Sequence, residues 1–178
     1  MEQRIERLRD LLSIDARKPA YRLAVACVLV AGVGACAPIC GIGAHFTLSN
    51  ARVDSSYTCP KHVTNHPYDV NVTIDADNFT NNTVTIRSIA ETDTAVAIHG
   101  QWNGDVGAKG SGTVTTYSPR SISAGSKATI RFKIPFQCTD QGTISSSTYG
   151  DFAFAFTVTT SAGTFKLGGA NKHRLITP

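Results

Sequence analysis

The sequence has little charge and little excess of one sign. Only 17% of its 178 residues are charged, and the formal net charge is +4. This small excess is scattered along the chain, so we expect no nucleic-acid-binding surface. The hydrophobic fraction of 42% excludes a wholly disordered chain, because it is sufficient to form a core. The length permits one ordinary domain and excludes a large multidomain enzyme.

Motifs of catalysis and of copper transport are also missing. The chain contains no G-x-S-x-G, H-E-x-x-H or P-loop pattern. Its only methionine is Met1, and it has no C-x-C pair, so the sequence gives no support to a copper carrier. We therefore predict a protein that is not an enzyme and that uses no cofactor.

Charged residues of both signs are most frequent in residues 1–22. Ile5, Leu8 and Leu12 recur at the spacing of one helical face, which predicts a short amphipathic helix. Six Lys or Arg residues lie in this segment. The bias toward positive charge predicts that it lies in the cytoplasm.

Residues 23–44 form an apolar run without a charged side chain. A helix of about 20 apolar residues spans the hydrocarbon core of a bilayer, so this run predicts a transmembrane helix in contact with lipid. Small residues recur every four positions and would permit a weak homodimer through the helix. Residues 45–178 are then extracytoplasmic.

Two alternatives to a retained anchor stay open. Val33-Gly34-Ala35-Cys36 resembles a bacterial lipobox, which makes Cys36 a candidate for lipidation after cleavage. Simple cleavage as a secretory signal is the other alternative. All three outcomes place the same domain outside the cytoplasm.

Short alternating segments replace the apolar run after His45. Val70, Val72 and Ile74 point to one face of a strand, and no segment shows the 3.6-residue period of a helix. The pattern predicts a mainly β chain with a single antiparallel β-sandwich over 68–178, preceded by a juxtamembrane linker at 45–67. The predicted strands are Tyr68–Ile74, Thr83–Ala90, Ala95–Trp102, Gly112–Tyr117, Lys127–Phe136, Phe152–Thr159 and Thr164–Leu167.

The extracytoplasmic region contains two cysteines, Cys59 and Cys138. Because an exported domain folds in an oxidising compartment, we predict a disulfide between them. Cys59, His62 and His66 form the alternative, a C-x2-H-x3-H spacing that could bind zinc or copper. Three ligands do not close a structural zinc site, and a disulfide would remove the thiolate, so no metal is expected.

Two further features concern the surface of this region. Asn71, Asn78 and Asn81 each begin an N-x-[ST] sequon and would be glycosylation sites if the protein passes through a eukaryotic secretory pathway. Gln101–Gly112, with Trp102 and Asp105, combines an aromatic side chain with a long connection, so it is the first candidate for a recognition loop. The alternative is that Trp102 fills the core.

Two architectural resemblances are carried by particular segments. Ser121–Cys138 resembles the passage of immunoglobulin-like and fibronectin-like domains in which a glycine turn leads into a late strand. The layout is also similar to that of type-2 late-embryogenesis-abundant and NDR/HIN-like proteins, in which a basic tail and a membrane segment precede a β-sandwich that opens with a stretch like Phe46–Val53. The resemblances imply an immunoglobulin-like sandwich and do not themselves supply a function.

We expect a single-pass membrane protein that presents this sandwich for binding or structural support at the cell surface. The ligand, an unknown protein or glycan, is not identified by the sequence. The alternatives are a metal-binding or redox accessory protein and a lipid-binding, stress-associated sandwich. A contiguous apolar cavity would favour the last alternative, and a densely filled core would count against it.

Overall fold

The computed structural model describes residues 44–102, 104–140 and 148–177. The predicted amphipathic segment 1–22, Cys36, and all of the apolar segment 23–44 except Ala44 lie outside these residues. Within the described ranges, no helix is long and apolar enough to cross a membrane.

The described part of the chain is built from β-strands, as the alternating pattern predicts. The strands, numbered in chain order, are β1 (Phe46–Val53), β2 (Ser56–Thr58), β3 (His66–Asn78), β4 (Val84–His99), β5 (Lys109–Val114), β6 (Tyr117–Ser118), β7 (Ser121–Ile122), β8 (Lys127–Cys138), β9 (Tyr149–Thr160), β10 (Gly163–Gly168) and β11 (His173–Ile176).

These strands form two sheets. The first has the order β1-β3-β8-β6, and the second has the order β2-β11-β9-β4-β5, with β10 paired to β9 and β7 paired to β4. Most pairs are antiparallel, and β2 and β11 are parallel. The two sheets enclose one main hydrophobic core, so the chain is a β-sandwich.

Alternation along the strands determines which side chains enter the core. Val70, Val72 and Ile74 of β3 are buried, as are Ile130 and its inward neighbours on β8. The residues between them are more exposed, so each strand places one apolar face against the other sheet. The predicted inward faces of these strands are therefore confirmed.

The strand β4 differs from the prediction, because it is one strand of 16 residues rather than two. Its pairing with β9 shifts register between Ile86 and Ser88 and again between Ala95 and Ala97. A register shift of this kind lets the backbone bend without ending the strand. The predicted interruption between Ala90 and Ala95 is wrong.

The predicted linker at 45–67 is also wrong in part. β1 pairs along β3 at the edge of the first sheet, and β2 pairs with β11 at the edge of the second. Phe46, Ala51 and Val53 of β1 belong to the main core. Apolar side chains on one face of β1 drive this packing, so the sandwich begins at Phe46 rather than Tyr68.

The predicted strand Gly112–Tyr117 is divided between the two sheets. β5 pairs with β4 in the second sheet, whereas β6 pairs with Phe132 and Arg131 of β8 in the first sheet. The chain therefore crosses from one sheet to the other at Thr115 and Thr116. In the described part of the chain, no strand pairs with the outer edge of β8 beyond Phe132.

Candidate ligand-binding cleft

The crossing of the chain between sheets leaves a cleft at one side of the sandwich. β5 belongs to the second sheet and β8 belongs to the first. The space between these two strands forms a cavity of about 860 Å³. This volume lies within the range of small-molecule sites, about 300–1,000 Å³. We call this space the β5–β8 cleft.

The walls of the β5–β8 cleft are largely apolar, with polar groups in a few positions. Apolar side chains come from both sheets and from the crossing, and carboxylate, hydroxyl and backbone groups complete the lining. The lining includes Glu91, Gly112, Val114, Tyr117, Phe132 and Ile134. The phenol of Tyr117 donates a hydrogen bond to the carbonyl of Ile86 at 3.3 Å, so it is not available to Glu91.

Glu91 is the most unusual side chain of this lining. It lies on the inward face of β4 and is 7% exposed. Its Oε2 has no hydrogen-bond partner among the described residues. Burial, and secondarily the charge of Asp93, raises the pKa of Glu91 above its ordinary value. An unpartnered carboxylate oxygen in an apolar cleft is costly to the free protein.

Glycine on the neighbouring strand makes room for this carboxylate. Gly112 of β5 lies opposite Glu91 in the strand register. A Cβ atom at Gly112 would lie 2.8 Å from Oε1 of Glu91. The absence of a side chain on β5 therefore permits the carboxylate to lie across the strand toward the cleft.

Asp93 repeats this arrangement two residues further along β4. It lies opposite Gly110, and a Cβ atom there would collide with its carboxylate. Burial raises the pKa of Asp93, while hydrogen bonds from the backbone N–H groups of Asp93 and Gly110 partly oppose that change. Asp93 lines a second cavity of about 700 Å³, which shares Pro135 with the first.

The basic side chains near the cleft are occupied elsewhere. Lys133 forms an ion pair with Asp69 at 3.0 Å, and Arg131 donates to the carbonyl of Thr129 at 3.4 Å. Both side chains are on the exposed face of β8, opposite to the inward Phe132 and Ile134. Within the described ranges, no Lys or Arg forms an ion pair with Glu91.

A second polar cluster lies near one end of the sandwich. The ring of Tyr68 stacks on Tyr57 at 3.9 Å between centroids. The side chain of His173 is 1% exposed, and its Nδ1 lies 2.8 Å from the carbonyl of Asp54. Since a carbonyl only accepts, Nδ1 carries the proton, and Nε2 accepts from the Tyr68 hydroxyl at 3.1 Å.

Burial changes the proton affinities of this pair in a consistent way. Burial lowers the pKa of His173 and so favours the neutral ring, against a weaker opposing effect of the Asp54 carbonyl. Burial, with the nearby Tyr57 and Asp93, raises the pKa of Tyr68 well above its ordinary value. The pair is therefore an internal hydrogen bond between neutral groups.

The predicted disulfide is present. Cys59 and Cys138 are joined, with their Cα atoms 5.9 Å apart, and both are buried beside Leu175. The bond connects the segment before β3 to the end of β8.

The disulfide overturns the metal-site alternative at Cys59, His62 and His66. Cys59 has no thiolate to offer, and the described residues contain no group of three or more potential ligands. His62 lies in an exposed turn with a φ of 61°, and His66 begins β3 opposite Cys138. Because His66 begins an extended strand, His62 and His66 do not lie on one face of a helix, as the predicted spacing required.

The three sequons differ in accessibility. Asn71 and Asn81 are exposed, whereas Asn78 is 1% exposed. The Nδ2 of Asn78 lies within hydrogen-bonding distance of the carbonyls of Asn82, Ile122 and Ser123, at 2.9–3.0 Å. Because a glycan would be attached to this buried nitrogen, the folded structure contradicts Asn78 as a glycosylation site.

The candidate recognition loop Gln101–Gly112 is shorter than expected, because β5 already begins at Lys109. Trp102 is half-buried and packs against the cluster that surrounds the disulfide, with its ring 6.4 Å from that of Phe152. Asp105 is exposed. Trp102 thus contributes to packing, as in the alternative in which it fills the core.

Sequence reasoning missed Glu91 and Asp93, although a signal was present. Ile89, Glu91, Asp93 and Ala95 occupy alternate positions and all lie on the buried face of β4. The predicted strands Thr83–Ala90 and Ala95–Trp102 left both acids in the gap between them. The period of two, with two acids in the inward phase, is the pattern that indicates the cleft.

Comparison with known proteins gives no family. No family model matches the chain, and a search of curated proteins finds no match. Among solved structures, a PapD-like (ASH) domain of human CEP192 matches with a TM-score of 0.36 and 13% identity, covering 85% of this chain and 98% of that one. That domain has an immunoglobulin-like sandwich fold.

Two bacterial structures match at a similar level. The putative ApaA protein from Bordetella pertussis has a TM-score of 0.33 and 14% identity, covering 76% of this chain and 95% of that one. The sporulation control protein Spo0M from Bacillus subtilis has a TM-score of 0.35 and 15% identity, covering 76% of this chain and 50% of that one. Likenesses this weak do not indicate a function for this chain.

Proposed function

We propose that this protein is a membrane-anchored, extracytoplasmic binding module that holds a ligand with an apolar body in the β5–β8 cleft. The single observation that carries the proposal is the cleft itself, a cavity of about 860 Å³ with apolar walls from both sheets. A purely structural sandwich would not need an open cavity between two of its strands. The immunoglobulin-like class is the finer description of this sandwich that we propose.

The chemistry of the walls favours an apolar ligand over a glycan. The walls of the cleft expose more apolar than polar surface, and apolar surface gains free energy by leaving water, at about 25 cal/mol per Å². This feature favours the hydrophobe-binding alternative from the sequence, although Val114, Phe132 and Ile134 also belong to the main core and are each at most 7% exposed.

Pro135 argues against a partner strand as the occupant. It lies on β8, on the wall of the cleft, opposite Asp69 of β3. Proline has no N–H to donate, and in sheets it is found where that missing donor faces an open edge. An incoming strand would find one hydrogen bond missing on β8, so a compact amphiphilic molecule fits this edge better than an added strand.

The anchor and the orientation are part of the same proposal. They are supported by the uncharged run 23–44, the basic residues before it and the buried disulfide after it. The mature N-terminus and any lipid mass, measured on membrane-purified protein, test this part. A mature N-terminus at Met1 would support the anchor. A lipid on Cys36 would show that the protein is a lipoprotein instead. A cut after residue 44 would overturn the anchor.

Photolabelling tests the cleft as a ligand site. Full-length protein in phosphatidylcholine nanodiscs is labelled with a ten-carbon alkyl diazirine alcohol, and the adducts are mapped by mass spectrometry. We expect adducts on the β5–β6 and β8 peptides that are lost in Thr116→Trp, which fills the rim, and kept in Thr164→Trp, an exposed position on β10. Labelling that avoids these peptides, or that survives Thr116→Trp, would overturn the proposal.

A further inference from the structure

We propose that Glu91 makes the β5–β8 cleft selective for an amphiphilic amine, a ligand whose apolar body carries a cationic N–H donor. This inference rests on the proposed function and adds the chemical class of the ligand. Two separate features of the structure support it, the buried oxygen without a partner and, within the described ranges, the absence of a cation paired with Glu91.

The first feature is the Oε2 atom of Glu91. This side chain is more than nine-tenths buried, lines the cleft and leaves Oε2 without a hydrogen bond among the described residues. Buried polar atoms are nearly always hydrogen-bonded, so an exception on a side chain that lines a cavity requires an explanation. A donor carried by a ligand would supply the missing partner.

Asp93 shows that the chain can satisfy such a group when no ligand is needed. Its carboxylate accepts backbone N–H groups of its own residue and of Gly110. Glu91, on the same face of the same strand and also opposite a glycine, keeps one oxygen unpartnered. The difference between two otherwise similar acids locates the recognition group at Glu91.

The second feature is the charge around Glu91. Asp93 on β4 acts on Glu91 through its charge, and Tyr117 on β6 lines the same cleft with its hydroxyl donating to Ile86. Arg131 and Lys133 line the rim from β8 and are engaged on its outer face. Of the charged residues in the described lining, Glu91 is on an inward face and Arg131 and Lys133 are on the outward face of β8, so a cation is the complementary charge for the interior.

The remaining geometry agrees with a small cationic head on an apolar chain. The apolar side chains Val114, Phe132 and Ile134 line the same cavity as Glu91. An ammonium group there would donate a hydrogen bond to the unpartnered oxygen. Such a charge-assisted hydrogen bond is stronger than a neutral one. Anionic amphiphiles would instead place like charges together.

Competition against the photolabel tests this inference. Decylamine, decanol, decanoate and decyltrimethylammonium are titrated against labelling of the full-length protein, in nanodiscs of one lipid composition so that partition into lipid is common to all variants. We expect decylamine to compete at least about tenfold better than decanol, since a charged hydrogen bond of ordinary strength gives such a ratio. Decyltrimethylammonium, which has no N–H donor, should be weaker than decylamine.

The variant Glu91→Gln should reduce the advantage of decylamine to about twofold or less, with Asp105→Asn as an exposed acidic control that keeps it. Thermal unfolding of each variant shows that the sandwich is intact. If the label binds in the cleft but decylamine and decanol compete equally in the wild type, the amine inference is wrong while the proposed function stands. If the label does not bind in the cleft, the proposed function itself fails.

Discussion

Glu91 and Gly112 face each other across β4 and β5, and the carboxylate of one occupies the space that a side chain on the other would fill. Glu91 supplies the negative charge, and the lack of a side chain at Gly112 determines where that charge lies. A substitution at Gly112 would move the carboxylate without removing it. It therefore tests where the carboxylate lies separately from whether the carboxylate is present.

Gly112→Ala should displace the Glu91 carboxylate at little cost in stability. The new methyl group would lie 2.8 Å from Oε1, and the end of a flexible side chain can move away. We expect a change of less than about 1 kcal/mol in the free energy of unfolding. The preference for decylamine over decanol, measured by competition, should fall. Gly168→Ala is the matched control, since nothing lies within 4 Å of a Cβ there; an unchanged preference in Gly112→Ala would contradict the geometry.

Glu91→Gln should change how stability depends on pH. Burial and the charge of Asp93 raise the pKa of Glu91 above 4.5, so the folded protein binds this proton more tightly than the unfolded chain. The contribution of Glu91 to stability is therefore greatest below 4.5 and is lost as pH rises through the folded pKa.

Urea unfolding of wild type and Glu91→Gln at a series of pH values measures this effect. The free energy of unfolding of the variant, minus that of the wild type, should increase as pH rises from 4.5. His173 is present in both proteins, so its titration cancels in the difference, whereas the electrostatic coupling between Glu91 and Asp93 is part of what the difference measures. Parallel curves would show that Glu91 titrates normally.

Tyr68→Phe should weaken the sandwich at the other polar cluster. The change removes the donor to Nε2 of His173, a buried acceptor, and we expect a loss of about 1–3 kcal/mol. The neutral ring loses a hydrogen bond, so the pKa of His173 should rise relative to wild type. NMR titration of the imidazole and urea unfolding measure the two effects, and Tyr57→Phe, which leaves the His173 hydrogen bond intact, is the control.

In the wild type, the titration of His173 changes stability with pH in the direction opposite to that of Glu91. Burial lowers the pKa of this imidazole below 6.5, so the unfolded chain binds the proton more tightly. Its contribution to stability is complete above 6.5 and is lost as pH falls through the folded pKa. A His173 that titrates above 6.5 would contradict the buried neutral pair.

Removal of the disulfide should cause the largest loss of stability among these changes. Cys59 and Cys138 are 79 positions apart in the sequence, and chain-entropy estimates for loops of this size give about 4 kcal/mol. We expect Cys59→Ala/Cys138→Ala to lower the urea midpoint by a corresponding amount. Reductant should lower the urea midpoint of the wild type and leave the urea midpoint of the double variant unchanged. A wild-type midpoint that does not respond to reductant would contradict a structural role.

Sequence patterns predicted the regular part of the fold and missed the irregular part, for identifiable reasons. β3 and β8 are long strands whose alternating apolar faces satisfy one sheet each, so local pattern sufficed. β2 and β11 have three and four residues, too few to show a period, and they exist because distant segments pair. The propensity of a short segment does not contain that information.

The cleft was not predictable for a different reason. It depends on the point at which the chain leaves one sheet for the other, at Thr115 and Thr116, and two threonines in a β-rich stretch do not mark such a crossing. Glu91 and Asp93 lay outside the predicted strands, and only the tertiary structure shows that glycines lie opposite them. The disulfide, in contrast, followed from compartment and count.

The parallel pairing of β2 with β11 brings together nearly the first and the last parts of the sandwich. Asn171 also accepts from the backbone of Val53 and donates to it, across 118 positions of sequence. A chain that leaves a ribosome or a translocation channel N-terminus first must therefore hold β2 without its neighbour until β11 has emerged. Loss of β11 would leave β2 without a pairing partner among the described strands.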